Sequence, residues 1–301
     1  MKNTTLRPQS LRDRLRSYGP LVWLAPAVIY LLAFSIYPLI YSLQVSFTLT
    51  TAGPVPFTLA NFRRLLEDRL FFTSLAQTAV YTLAALVVEL LLGLALALLV
   101  DWALRTGVPM VKPVRALLLV PMLLPPVVVA VIWRLIYNPD FGVLNGTLKS
   151  LGVNTASLTW TSGEGTALMS VILVDVWQWT PFMFLLLLAG LQALPVEPFE
   201  AARVDGASPL ATFRLLTLPL LQPVILVALL LRTMDLLRVF DQIFILTQGG
   251  PGFATETASL FIYRTAFRFY DFGYAAVLSF VVLAFTLVLA KLFQRVLQRP
   301  A

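Results

Sequence analysis

The sequence contains no cysteine and no histidine. Disulfides, thiolate or imidazole metal sites, cysteine or histidine nucleophiles and histidine proton relays are therefore excluded. Lysine is scarce as well, and none stands in a G-x-x-x-x-G-K-[ST] phosphate loop, so ATP chemistry would need another polypeptide. No D-D-x-x-D-like cluster is present to hold a metal-bound diphosphate, which argues against a membrane lipid transferase. Charged residues make up only 12% of 301 positions, too little polar surface for a water-soluble domain of that size. No catalytic residue and no metal ligand is assigned, and the basic balance lacks the aromatic interleaving of a nucleic-acid surface.

What is abundant is apolar sequence: 59% of residues are hydrophobic and the mean hydropathy is +0.85. Runs of about 20 apolar residues suffice to cross a hydrocarbon core of roughly 30 Å. Six recur, at 21–45, 74–100, 114–136, 167–191, 218–246 and 272–293. The expected fold is all-α, a polytopic bundle of six transmembrane helices in one domain spanning 1–301. Pro121, Pro125 and Pro126 fall in the third run and Pro181 in the fourth, where kinks rather than helix ends are expected. The first run follows a basic stretch but lacks a clean small-residue cleavage site, and reads as an uncleaved anchor.

Lysine and arginine are unevenly shared between alternate loops. Thirteen lie in the N-terminal tail, the second-to-third loop, the fourth-to-fifth loop and the C-terminus, against six in the remaining loops. The positive-inside rule then places both termini in the cytoplasm.

The fourth-to-fifth loop, 195–219, is unusually ordered. Pro195 and Pro198 precede a helix carrying Glu200 in its first turn, where a negative charge suits the dipole. Ala201 and Ala202 offer a close-packing face. Asp205 and Gly206 form a break permitting positive φ, and Ala207, Ser208 and Pro209 cap and begin a second piece. Glu200-Ala201-Ala202, Asp205-Gly206 and the later Leu218-Pro219 resemble the EAA loop of permease subunits in ATP-binding-cassette importers. Residues 231–241, the 247–252 run Thr-Gln-Gly-Gly-Pro-Gly, 255–257 with Tyr263, Asn61-Phe62 and Asp271-Phe272-Gly273-Tyr274 are similar to the maltose-type carbohydrate permeases. The similarity covers nearly the whole chain. It departs from the best-known maltose subunit, whose two extra N-terminal spans and folded external domain are not seen here, so no role of those parts is carried over.

The resemblance implies the type I importer permease fold and a coupling loop of Glu200, Ala201, Ala202, Asp205, Gly206, Ala207, Ser208 and Pro219 that docks an ATPase subunit. It implies as partners a second homologous permease, two ATPase subunits using ATP and magnesium, an external sugar-binding protein and a sugar, within a bacterial plasma membrane. No cofactor is expected on this chain. An α-glucoside such as trehalose or maltose is the expected cargo; a glycerol-phosphate or other oligosaccharide is the alternative. A secondary transporter is disfavoured by the lack of an inverted repeat.

Polar residues within the runs are costly and mark candidate sites. In the fifth, Arg232, Asp235, Arg238 and Asp241 alternate in sign at i, i+3, a ladder that either packs the bundle or lines a path, with Gln242 beside it. In the fourth, Asp175, Trp177, Gln178 and Trp179 combine rings with hydrogen-bonding groups, which suits a sugar. Glu89 and Arg134 are lone charges, expected in a structural pair or a subunit contact.

Overall fold

A computed structural model describes residues 23–49, 57–155 and 158–297. The basic N-terminal tail, the start of the first expected span and Arg299 lie outside these residues. Helix α1 is Trp23–Ser46; α2 is Ala60–Glu67, α3 Arg69–Arg105, α4 Val111–Leu118, α5 Val120–Leu123, α6 Pro126–Ile136 and α7 Val143–Ser150. Helix α8 is Ala167–Gln192, α9 Glu197–Val204, α10 Pro209–Leu236, α11 Asp241–Leu246, α12 Ala258–Tyr263 and α13 Phe272–Leu297. Among the described residues, α1, α3, α8, α10 and α13 are long and apolar enough to cross a membrane, and α6 is a shorter apolar helix.

The bundle is organised around α3 against α8. Helix α3 buries Phe71, Ser74, Thr78, Tyr81, Ala85, Glu89, Gly93, Ala97 and Val100, a spacing of three and four residues that puts them on one stripe. Its other faces remain apolar and exposed, as at Leu83, Leu91 and Leu99, because the intended solvent there is lipid. A Cβ at Gly93 would lie 2.6 Å from Met183 Cβ; only glycine lets the two backbones approach so closely. Leu187, Leu188 and Leu191 of α8 close the same end of the core against Ala97, Val100 and Leu221. Tyr81, Val129, Val171, Leu236 and Ile243 fill the other.

Helix α1 contributes almost nothing to this core. Its most apolar stretch has no buried residue, and it touches the rest chiefly through α13. A widened turn at Leu32–Ile36 precedes Pro38, and another at Phe213–Thr217 precedes Pro219. In each the closing N–H reaches back five residues, Tyr37 to Leu32 and Leu218 to Phe213, a local answer to a ring that removes a donor and crowds the preceding turn.

Two expected spans are not continuous helices. The third is assembled from α4, α5 and α6, and its helix ends at Leu123 and restarts at Pro126. Pro181 is carried inside α8 without interruption, but Pro125-Pro126 forces Leu124 and Pro125 to extended ψ of 137° and 139°, as a residue before proline prefers. The expected kink is a break. The fifth stops at Leu236, turns through 237–240, and resumes as α11 packed on α6.

Candidate functional site

The break in the fifth span creates the first candidate site. Arg232 is 2% exposed inside the bundle. Its Nε donates to Glu89 Oε2 at 2.7 Å and its Nη2 to Glu89 Oε1 at 2.9 Å. The same Nη2 also donates to Asp175 Oδ2, and Nη1 donates to Asp235 Oδ2. One guanidinium from α10 thus ties α3 and α8 to its own helix, and its plane lies 5.0 Å from the Trp179 ring centroid. Such a junction is tolerable in a low-dielectric interior only because nearly every donor is satisfied.

A hydrogen-bonded chain runs beside it. Tyr81 Oη donates to Gln242 Oε1 at 3.3 Å, Gln242 Nε2 to Gln178 Oε1 at 2.7 Å, and Gln178 Nε2 to the Leu124 carbonyl at 2.9 Å. That carbonyl is free to accept because the helix is broken at Pro125-Pro126. Asp175, Trp179, Arg232, Asp235, Arg238, Asp241 and Gln242 border one cavity of about 110 Å³. The breaks in the third and fifth spans are what open it.

Some expectations need correction. The four-residue charge ladder does not form: only Arg232 and Asp235 pair, while Arg238 Nε donates to the Met234 carbonyl at 3.1 Å. The i, i+3 rule holds only along a helix, and this one ends between the second and third rungs. Trp177 turns away from the cavity and meets Trp133 edge-on at 5.6 Å, beside a wide apolar groove that also takes in Leu173, Thr180 and Phe184. Successive residues on a helix point about 100° apart, so Trp177 cannot share the face of Asp175 and Trp179. Glu89 does stand in the structural pair expected of it, as the principal partner of Arg232, 143 positions away. Arg134 is exposed.

The second candidate region is the 195–219 segment. Helix α9 has Glu197 and Glu200 in its first turn. Gly206 adopts φ +73°, and a Cβ there would meet nothing within 4 Å, so backbone conformation rather than space demands glycine. Ser208 Oγ caps α10 by accepting from the Ala211 N–H at 3.3 Å. Val204 is 88% exposed and Leu210 and Leu215 are also open, apolar side chains left uncovered on a polar segment. Between the segment and the bundle lies a cavity of about 470 Å³ bordered by Asp101, Arg105, Phe199, Arg203, Ala207 and Phe213.

At the opposite end of the bundle the remaining motif residues serve as clamps. Asn61 Nδ2 donates to the Ser46 and Thr48 carbonyls at 3.1 and 2.8 Å. Arg64 pairs with Asp271 at 2.6 Å and lies over the Tyr274 ring at 4.0 Å, and Tyr274 Oη donates to Asp68 Oδ2 at 2.6 Å. In the 247–257 turn Thr255 Oγ1 donates to the Gly250 carbonyl at 2.9 Å. Glu256, 1% exposed beneath that turn, pairs with Arg264 Nη1 at 2.8 Å. Burial pushes the Glu256 carboxyl up from its ordinary value, with Arg264 opposing.

The chain is similar to known proteins. The family described as binding-protein-dependent transport system inner membrane component matches residues 89–300. The trehalose/maltose transport system permease protein MalF of Thermococcus litoralis is 40% identical over 277 residues, 88% of this chain and 90% of that protein. The trehalose transport system permease protein SugA of Mycobacterium tuberculosis is 35% identical over 274 residues, 89% of this chain and 85% of that one. A chain from the crystal structure of a bacterial ABC transporter involved in the import of the acidic polysaccharide alginate superposes with a TM-score of 0.83 at 22% identity, covering 96% of this chain and 98% of that one. The family match over most of the chain and the identity to these relatives make this chain a member of the binding-protein-dependent transport system inner membrane component family.

Proposed function

We propose that the chain is the sugar-conducting permease subunit of an ATP-driven importer and that its cargo is a neutral α-glucoside of the trehalose or maltose kind. The observation that carries the reading is the meeting of Asp175, Trp179, Asp235 and Gln242 at one cavity within an otherwise apolar bundle. A ring with hydroxyl partners around it suits a carbohydrate. The names of the two relatives, a trehalose/maltose and a trehalose permease, support that substrate class.

The cavity, about 110 Å³, is smaller than ordinary ligand sites of roughly 300–1,000 Å³. It supplies one wall of a path, and a second, homologous permease supplies the other. The 195–219 segment docks one of two ATPase subunits, whose closure on ATP and magnesium turns the bundle outward; an external binding protein delivers the sugar, a reading that the binding-protein-dependent description of the family supports. This chain binds no cofactor and carries out no catalysis. Both termini and the 195–219 segment face the cytoplasm, and the 247–257 turn faces outside.

The test is uptake of labelled trehalose and maltose by vesicles holding the complete transporter, with ATP inside and the binding protein outside. Saturable uptake of either sugar supports the reading, and uptake of neither overturns the substrate class. Orientation is tested separately. The chain has no native thiol, so Ala207→Cys should label only from the cytoplasm and Ala254→Cys only from outside; the reverse pattern would invert the topology.

A further inference from the structure

The charges around the candidate cavity do not balance. Four carboxylates, Glu89, Asp175, Asp235 and Asp241, face two guanidiniums, Arg232 and Arg238. The other groups packed against them, Trp179, Gln178, Gln242, Tyr81 and Pro126, bring no charge at neutral pH. Arg232 is the natural candidate to grip an anionic cargo, since its planar fork fits phosphate and carboxylate. Here it is already used. Of its five N–H donors, four are directed at carboxylates: Nε and one Nη2 hydrogen at Glu89, the other Nη2 hydrogen at Asp175, and one Nη1 hydrogen at Asp235. Arg238 lies on the turn with its Nε committed to the Met234 carbonyl. By formal charge the cluster therefore keeps a surplus of negative charge.

We propose that this surplus is a charge filter: the path accepts uncharged sugars and rejects phosphorylated, sulfonated or uronic ones, with Asp235 as the residue that sets the rejection. The proposal rests on the reading that this cavity is a wall of the sugar path. Asp235 is singled out because its side chain is 51% exposed, while those of Glu89 and Asp175 are 0% and 3% exposed. It is the carboxylate of the Arg232 cluster that a passing sugar meets. It borders the cavity and holds the Nη1 side of the guanidinium, so it both repels an anion and withholds a donor that would attract one. The same fold occurs in a transporter of an acidic polysaccharide, so the fold does not impose neutrality; the residues at this cavity do.

The test uses the complete purified transporter in nanodiscs, without the external binding protein, whose own selectivity would mask the effect. Labelled trehalose is bound and then displaced by unlabelled trehalose or by trehalose 6-phosphate. In the natural protein the phosphate should be weaker by about tenfold or more, the scale of a poorly screened like-charge contact. Asp235→Asn, nearly the same size, should bring the two within about threefold, and Asp235→Glu should restore the gap; a merely steric rejection would respond to neither change of charge. Equal displacement in the natural protein, or an undiminished gap in Asp235→Asn, overturns the filter. Failure of labelled trehalose to bind any of the three proteins overturns the path assignment and the filter with it.

Discussion

The Arg232 junction and the 195–219 segment are both polar islands in an apolar chain, yet they solve opposite problems. At the junction nearly every polar group finds its partner within the chain: α3, α8 and α10 each contribute an acid to one guanidinium, and the side chains of Glu89, Asp175 and Arg232 are 0–3% exposed. In the segment the hydroxyls and the backbone are satisfied locally, but the charged side chains are not paired. Glu200 and Arg203 have no ion pair among those found in the described residues, and Val204, Leu210 and Leu215 face outward. A self-satisfied cluster holds helices at fixed positions. On the proposed reading, the exposed segment is a site for another protein.

The comparison breaks most visibly if Arg232 is removed. Arg232→Met leaves Glu89 and Asp175 buried without a cation, and loss of one partner of such a cluster costs about 3–5 kcal/mol. The purified protein should lose thermal stability sharply or fail to accumulate. Neutralising the acids as well, with Glu89→Gln and Asp175→Asn, should recover most of the thermal midpoint, because the penalty comes from the orphaned charges rather than from the missing arginine. If the triple variant is no more stable than the single one, the junction is not self-satisfying in the sense described.

A smaller but more specific effect is expected in the exposed segment. Gly206→Val forces a β-branched residue to φ +73°, a strain of about 1–3 kcal/mol confined to the turn between α9 and α10. Membrane insertion and the thermal midpoint should change little, whereas substrate-stimulated ATP hydrolysis by the assembled transporter should collapse. Glu200→Lys, reversing a charge in the first turn of α9, should weaken retention of the ATPase subunit on an affinity column. Normal coupling in both variants would show that the segment is a plain connector.

The smallest effect belongs to Glu256. Because burial raises its carboxyl in the folded state, its contribution is full below the ordinary glutamate range and is lost as pH rises through the raised value. Between about pH 4 and about pH 7 the thermal midpoint should therefore fall more in the natural protein than in Glu256→Gln. Parallel pH profiles would mean that Arg264 compensates the burial fully.

Much of this was legible in the sequence, and the failures have physical causes. Hydropathy and length locate α1, α8 and α13 to within a few residues, since each is a continuous apolar helix. They cannot locate the break after Leu236, because Leu237-Arg238-Val239-Phe240 contains neither glycine nor proline and is no more polar than the helix before it. The adjacent prolines at 125 and 126 were visible, but a lone proline such as Pro181 is absorbed while a pair is not. The cluster at Arg232 was half legible: Asp235 lies one turn away, whereas Glu89 is brought in only by the packing of α3 against α10, a long-range contact that carries no local signal. The turn at Gly206 was fully legible, because its cause is local backbone sterics.

The widened turn at Phe213–Thr217 also fixes the azimuth of everything beyond it. One extra residue accommodated in a single turn offsets the downstream helix by about 100° relative to an uninterrupted α-helix starting at Pro209. Arg232 thus faces Glu89 and Asp175 only because that offset lies between it and Ser208. The 195–219 segment and the Arg232 side chain are locked in phase by one irregular turn, so removing a single residue from that turn would point Arg232 away from its acids while leaving the composition of both regions unchanged.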